Sequence, residues 1–223
     1  MANPYRTTLA LPAAVANGIS LSQSLASAGN LTITGSLASG GVATLTSTNC
    51  AARRVGITSA GNDSAMTWTI TGTDRYGNAQ SESFAGANTA TASSVKDDAK
   101  ITKIAGSAAT ASTVTAGTTS TGSTEWRAVD FFRETFNVGL GVFLTGSVTY
   151  SVEGTLDDPN AALPGDLEPG SAQPPLATAL SGWSALTASN LNSNGIPIVA
   201  VRLTITANTG TAVFQVLQTG IGS

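Results

Sequence analysis

Residues 66–71 read MTWTIT, and residues 201–206 read VRLTIT. In both stretches an apolar side chain alternates with a polar one at a period of two residues, which is the period of a β-strand with one buried face. Similar runs recur between turns rich in Gly, Asn and Ser, and the first half of the chain lacks the periodicity of a helix. The sequence therefore predicts an all-β protein of the β-sandwich or jelly-roll type.

Strand candidates in the first half are short and closely spaced. They are Ile19–Leu25, Leu31–Gly35, Gly41–Thr46, Arg54–Ser59, Met66–Asp74, Gln80–Phe84, Ser94–Ile104 and Ser112–Gly117. The turn at residues 75–78, which read RYGN, predicts a hairpin, because Gly and Asn tolerate a positive φ angle.

Two further hairpins are predicted in the second half. Val138–Leu144 and Ser147–Gly154 flank the first turn signal, Thr145-Gly146. Ile198–Thr206 and Ala212–Gln218 flank the second, which reads ANTG. Gly and Asn at both turns favour a reversal of the chain.

The domain organisation follows from composition. The Thr-, Gly- and Ser-rich stretch 115–124 is the best internal boundary. We expect an N-terminal arm over residues 1–18, a β-sandwich domain over 19–120 and a second β domain over 121–223. Within the last domain, residues 155–197 hold six of the eight prolines and predict a long Pro-rich loop. Loops of this length in compact domains are usually functional, form an interaction surface or are partly disordered.

The chain of 223 residues is poor in charge. Only 10% of its residues are charged, with 10 Lys and Arg, 13 Asp and Glu and no His, whereas about a quarter of an ordinary globular chain is charged. A net charge of −3 provides no basic field for phosphates, so we expect no nucleic-acid partner. A polar but uncharged surface suits faces that other subunits cover, because burying Thr and Ser costs less than burying Lys and Glu. We therefore expect an oligomer or an assembly component.

Membrane insertion and export are not predicted. No apolar run approaches the ~20 residues needed to cross a bilayer. The N-terminus lacks the charged and apolar regions of a signal peptide, so we expect synthesis and folding in a cytoplasm.

Catalytic side chains are scarce. Without His, a Ser-His-Asp triad is excluded, and zinc or redox-metal sites lack a ligand set. No Gly-x-Ser-x-Gly elbow, P-loop or dinucleotide fingerprint occurs. The single cysteine, Cys50, is interpreted as a buried apolar filler, with a reactive thiol as the alternative. We expect neither an enzyme nor a cofactor.

An acidic cluster at Glu153–Asn160, followed by Asp166 and Glu168, is the most site-like feature. Oxygen ligands on one loop, including Asp157 and Asp158, could hold Ca²⁺, although their spacing does not match an EF-hand. The favoured interpretation is a strand end and turn, in which Asp and Asn bond their own backbone. Calcium binding stays open.

Opposite charges also lie close together at Trp126–Asp130 and Arg133-Glu134. Asp130 and Glu134 could act as a carboxylate pair in sugar cleavage, but aromatic residues for sugar stacking are few, and salt bridges at an interface are the favoured interpretation. Lys96–Lys100 predicts a solvated edge or turn, where charge discourages strand pairing.

Several segments resemble structural proteins of tailed bacteriophages and prophages. They are Arg53–Ser64 leading into Trp68–Gly77, the following Ser81–Phe84, Phe136–Gly139, Tyr150–Asp158, Val199–Leu203 and the tail Gln218–Gly220. Together the resemblance covers roughly residues 19–160 and 196–220. Within that class, a small two-part β protein without a coiled coil or repeated shaft resembles capsid decoration, or cement, proteins.

The resemblance implies a non-enzymatic virion protein on the capsid surface that bridges neighbouring capsomers. Its expected partners are the major capsid protein and further copies of itself, often as a trimer. Arm residues Asn3–Ala14 would add a strand to a neighbour's open edge, and residues 155–197 would also reach across. The alternative is a tail, collar or head-fibre component that recognises a host through exposed aromatics such as Trp183 or Tyr76. A bacterial surface adhesin would need an export signal.

Overall fold

The computed structural model describes residues 5–46, 52–132, 136–157 and 176–218. In these ranges every regular element is a β-strand, and the sheets are antiparallel, which confirms the predicted all-β sandwich class. The chain forms two compact units. We call Ala13–Gly122 the sandwich unit, and Met1–Pro12 together with Ser123–Ser223 the long-strand unit.

The strands follow one another along the chain with few long interruptions. They are β1 (Tyr5–Ala10), β2 (Ser20–Gln23), β3 (Gly29–Asn30), β4 (Ala38–Ser39), β5 (Val42–Thr44), β6 (Arg53–Ser59), β7 (Thr67–Thr73), β8 (Ala79–Ala85), β9 (Thr91–Ser93), β10 (Lys100–Gly106), β11 (Val114–Ser123), β12 (Arg127–Ala128), β13 (Val138–Thr155), β14 (Ala177–Ala179), β15 (Asn190–Asn194) and β16 (Ala200–Gln218). The units divide between Gly122 and Ser123, inside the stretch 115–124.

The sandwich unit contains two layers of strands. One layer has the order β2-β11-β6-β9, and the other has the order β4-β5-β10-β7-β8, with β3 also paired to β10. Met66, Trp68 and Ile70 are buried in a core to which both layers contribute, while the intervening threonines face outward. The alternation in residues 66–71 thus supplies the inner face of β7, and Trp68 is its largest buried side chain.

The predicted hairpin at residues 75–78 is confirmed, because β7 pairs with β8 from Thr67 opposite Ala85 to Thr73 opposite Ala79. The Asp74 carboxylate accepts hydrogen bonds from the backbone N–H groups of Tyr76 at 2.8 Å and Asn78 at 2.9 Å. Gly77 has a φ angle of +86°. The turn therefore uses the Asp and Gly chemistry typical of such loops.

Two long strands organise the long-strand unit. β13 and β16 pair antiparallel, from Val138 opposite Gln218 to Thr155 opposite Ala200. The edge of β13 that faces away from β16 pairs with β14 and β15. The edge of β16 that faces away from β13 pairs with β1 and β12.

The two hairpins predicted for the second half are wrong. Residues 138–155 form one strand and residues 200–218 form another, so neither turn signal reverses the chain. Gly146, with a φ angle of +81°, instead lies opposite Gly210. Beside this pair the register shifts, since Ser147 is opposite Thr209 but Val148 is opposite Ala207. One residue of β16, Asn208, is therefore left without an opposite residue, and both turn signals lie at an irregularity within a continuous ladder.

Other predicted boundaries also need correction. Residues 1–18 were predicted as an irregular arm, but Tyr5–Ala10 form β1, with Leu9 buried. Residues 31–35, predicted as a strand, carry no strand assignment. The predicted loop 155–197 contains β14 and β15, while its residues 158–175 lie outside the described residues, as does Cys50.

We expect Gly117→Ala to destabilise the sandwich unit, because a Cβ atom at Gly117 would overlap the backbone carbonyl of Val15. The Val15 segment is fixed by two hydrogen bonds of 3.1 Å. The Val15 N–H donates to the Thr118 hydroxyl, and the Thr118 N–H donates to the Val15 carbonyl. Overpacking against backbone predicts a loss of about 3 kcal/mol in the free energy of unfolding, measured by denaturant titration.

Gly29→Ala is the matched control in the same unit. The nearest atom to a Cβ atom there would be the Ser27 carbonyl oxygen at 3.7 Å, so we expect a change within about 1 kcal/mol. Equal stability of the two variants would contradict the close packing at Gly117.

Candidate functional site

The clearest candidate site is an exposed apolar surface on the long-strand unit. Phe143, Leu191 and Leu217 are 44%, 74% and 43% exposed. They come from β13, β15 and β16, respectively. We call these three side chains the apolar strip.

The first half of β13 explains why this surface is apolar. Residues 138–144 read VGLGVFL, so the strand lacks the polar alternation of a half-solvated sheet. Val138, Leu140 and Val142 are fully buried on one face, which leaves Gly139, Gly141 and Phe143 on the other. A strand that is apolar on both faces is normally covered on both faces.

Gly141 has no side chain, so larger side chains on either side of it can approach each other. Gly141 lies opposite Leu191 on β15 and Gln215 on β16. A Cβ atom at Gly141 would lie 3.2 Å from Cε2 of Phe143 and 3.3 Å from Cδ1 of Leu191. Phe143 and Leu191 therefore converge over a glycine, and Leu217 extends the apolar strip beside Gly139.

Polar but mostly uncharged residues border the apolar strip. Its cross-strand neighbours include Ser193 opposite Gly139, Gln215 opposite Gly141, and Thr8 opposite Val213, with Arg6 opposite Gln215. Contiguous exposed apolar side chains with a polar rim are typical of interaction surfaces. The apolar strip can bury hydrocarbon without first stripping water from several charges.

The Trp126–Asp130 segment makes an aromatic contact and a local hydrogen bond, and its interface salt bridges with Arg133 and Glu134 stay a prediction. Arg127 lies over the ring of Tyr5 at 5.0 Å. The Asp130 carboxylate accepts a hydrogen bond of 3.2 Å from the N–H of Phe132. Arg133 and Glu134 lie outside the described residues, so the carboxylate pair considered for sugar cleavage remains a hypothesis.

Trp126 lies beside an ion pair between Glu153 on β13 and Arg202 on β16. Arg202 lies 4.7 Å from the centroid of the Trp126 ring, and its Nε atom donates a 2.7 Å hydrogen bond to Glu153. Both charged side chains are about four-fifths buried. Glu153 is therefore engaged in a structural ion pair rather than in an acidic metal loop.

The rest of the acidic cluster has little described structure. Asp157 accepts a hydrogen bond of 2.7 Å from the N–H of Leu176, while Asp158, Asp166 and Glu168 lie outside the described residues. Within the ranges that the structure describes, no three acidic, Cys or His side chains group as a metal site. Calcium binding by this cluster stays a prediction.

Burial corrects the list of exposed aromatics. Trp183 is only 1% exposed, and its ring centroid lies 6.4 Å from that of Tyr150. It therefore packs inside the long-strand unit and cannot present its ring to a glycan. Tyr76 is 44% exposed at its turn.

Lys96–Lys100 also differs from the predicted solvated turn, because Asp98 is buried. The loop is fixed by Glu82, whose carboxylate oxygens accept 2.8 Å hydrogen bonds from the N–H groups of Val95 and Lys96. Gln80 donates to the Asp98 carboxyl group. Burial raises the pKa of Asp98 to about 7, with smaller contributions from the nearby carboxylates Glu82 and Asp97.

Comparisons with protein-family models, with curated proteins and with solved structures found no match. Among the described residues, no helix is long and apolar enough to span a membrane.

The apolar residues of β13 predicted a strand, but the apolar strip was not predicted. A local signal was present in residues 138–144, where Gly and Phe occupy the outward positions that polar residues usually fill. Leu191 and Leu217 come from distant parts of the chain, and only the strand register brings them to this face.

We expect folding stability to fall as the pH rises from about 4 to about 7, because the folded protein favours neutral Asp98 while the unfolded chain ionises near 3.8. Asp98→Asn preserves the shape and the acceptor for Gln80. At pH 8 this variant should be more stable than the wild type by up to about 4 kcal/mol.

Denaturant titrations at pH 4 and pH 8 measure this difference. Near pH 4 the two proteins should differ little, which provides an internal control. A constant difference at both pH values would show that ionisation of Asp98 is not its cause.

Proposed function

We propose that this chain is a non-enzymatic structural protein of a tailed-phage virion, which decorates the capsid and binds the major capsid protein through the apolar strip. The observation that carries the proposal is the apolar strip, in which Phe143 of β13, Leu191 of β15 and Leu217 of β16 are partly exposed beside mostly uncharged neighbours. The resemblance of segments such as Arg53–Ser64 and Tyr150–Asp158 to phage structural proteins supports the same assignment, as does the scarcity of charged residues.

The size of the apolar strip constrains how such binding works. Complete burial of one Leu or Phe side chain contributes about 1.5–3 kcal/mol. Because these three side chains are already partly covered, the apolar strip would contribute on the order of 3 kcal/mol per copy. An isolated contact of that strength is weak, so stable decoration requires several linked copies acting together. A homo-oligomer, with a trimer as the expected form, meets this requirement.

Under this proposal the protein stabilises a shell by bridging subunits that would otherwise separate. Thr, Ser and Gly bordering the apolar strip allow close contact at small desolvation cost. No bond is made or broken, and the contribution is binding energy added at the joints between capsomers.

Virions that lack the protein should lose resistance to heat and osmotic shock, and adding the purified protein should restore it. Survival and release of the packaged genome measure this effect. Full resistance without the protein would contradict the stabilising role. Immunogold labelling on the tail rather than the head would favour the host-recognition alternative.

The apolar strip has a separate test. We expect Phe143→Ser combined with Leu191→Asn to abolish co-sedimentation with decoration-free virions, because both substitutions remove apolar area from this face. Val95→Ser is the matched control, since Val95 is 70% exposed but lies in the sandwich unit. Thermal unfolding should show that all variants remain folded. Undiminished binding by the double variant would exclude the apolar strip as the contact.

A further inference from the structure

The N-terminal strand β1 fills an edge of the long-strand unit. Six consecutive residues pair with β16, from Tyr5 opposite Val216 to Ala10 opposite Thr211. Leu9 is 1% exposed within this ladder, and Arg127 lies over the ring of Tyr5. Without β1, the backbone N–H and C=O groups of β16 on this side would lack strand partners. β1 therefore satisfies the backbone groups of residues 211–216 at this edge.

β1 is separated in sequence from the rest of the unit that it completes. The 110 residues from Ala13 to Gly122 form the sandwich unit, and β16 begins only at Ala200. β1 therefore reaches the long-strand unit independently of the chain segment entering at Ser123. A strand joined to its unit in this way can pair with its own chain or with an identical edge on another copy.

The connection to β1 is short and conformationally restricted. Between Ala10 and Val15 lie four residues, Leu11–Ala14, and they include Pro12, whose ring fixes its φ angle. Val15 is held within the sandwich unit by its two hydrogen bonds to Thr118. Short, restricted connections favour exchange of a terminal element between copies, because an exchanged strand makes the same contacts with less constraint on the connection.

We propose that β1 is exchanged between copies of this chain, so that β1 of one copy pairs with β16 of the next in the register of the intrachain pair. The strand that occupies the β16 edge is then β1 of a second copy, because β1 of every copy has the sequence that pairs with this edge. Exchange around a closed ring of copies leaves no β16 edge open. This inference concerns the purified protein and does not depend on the proposed virion function.

Single-cysteine chains test the exchange directly. Thr8 lies opposite Val213, and both are at least partly exposed, so their substitution leaves the core intact. One chain carries Thr8→Cys, a second carries Val213→Cys, and both carry Cys50→Ser to remove the native thiol. The two chains are given different tags, co-expressed, purified through both tags and oxidised, or joined with a short bis-maleimide if strand geometry disfavours the disulfide.

We expect a covalent heterodimer on non-reducing gels, because only an exchanged strand brings these two positions together from different chains. The matched control pairs Thr8→Cys with Val95→Cys, an exposed position in the sandwich unit that should give no heterodimer. A chain carrying both Thr8→Cys and Val213→Cys checks the register. If that chain cross-links only internally and the mixed chains give no heterodimer, the exchange is overturned.

Lengthening the connection provides a second test. Insertion of Gly-Ser-Gly after Pro12 relaxes the restricted segment, so the heterodimer yield should fall several-fold and light scattering should show a shift toward monomer. The same insertion after Gly77, in the exposed turn between β7 and β8, should leave both unchanged. An oligomer that persists without the Thr8–Val213 cross-link would associate through another surface, and that result would also overturn the exchange.

Discussion

The long-strand unit depends on the antiparallel ladder between β13 and β16. This ladder satisfies the facing backbone groups of two strands of 18 and 19 residues. It also creates two long outer edges, and unpaired edges are open to unwanted association. β14 and β15 occupy one of these edges, while β1 and β12 occupy the other. The short strands are therefore explained by the long ones, and each covers only part of an edge.

Local patterns predicted the strands better than their connections. Alternation in residues 66–71 gave the correct inner face of β7, and the turn at residues 75–78 reversed the chain as expected. At Gly146 the same kind of signal lies inside a continuous strand, close to a shift in its register with β16. Glycine specifies that a positive φ angle is tolerated, but the direction of the chain afterwards depends on which strand offers a partner. That partner, residues 200–218, is distant in sequence.

Local sequence also predicted the sites only in part, because burial and strand register depend on the tertiary fold. Asp98 sits in a charge-rich stretch, yet it is buried because the loop folds back onto Glu82 and Gln80. Trp183 occurs in a Pro-rich region but packs beside Tyr150. In contrast, the outward face of β13 could be inferred once its strand phase was known, since residues 138–144 contain no polar side chain. Its neighbours on β15 and β16 could not, because register is a tertiary property.

Several charged side chains in the described ranges make structural contacts within their own unit. Arg202 joins Glu153 to the Trp126 ring, and Glu82 fixes the loop that carries Asp98. The outward face of β13 is instead built from Gly, Phe and Leu beside hydroxyl and amide side chains. Such a face gains little free energy per copy but also incurs little desolvation cost, so its binding would increase mainly with the number of linked copies. Exchange of β1 would link those copies through backbone pairing on the opposite side of β16 from β13, leaving Phe143 and Leu191 free for a partner.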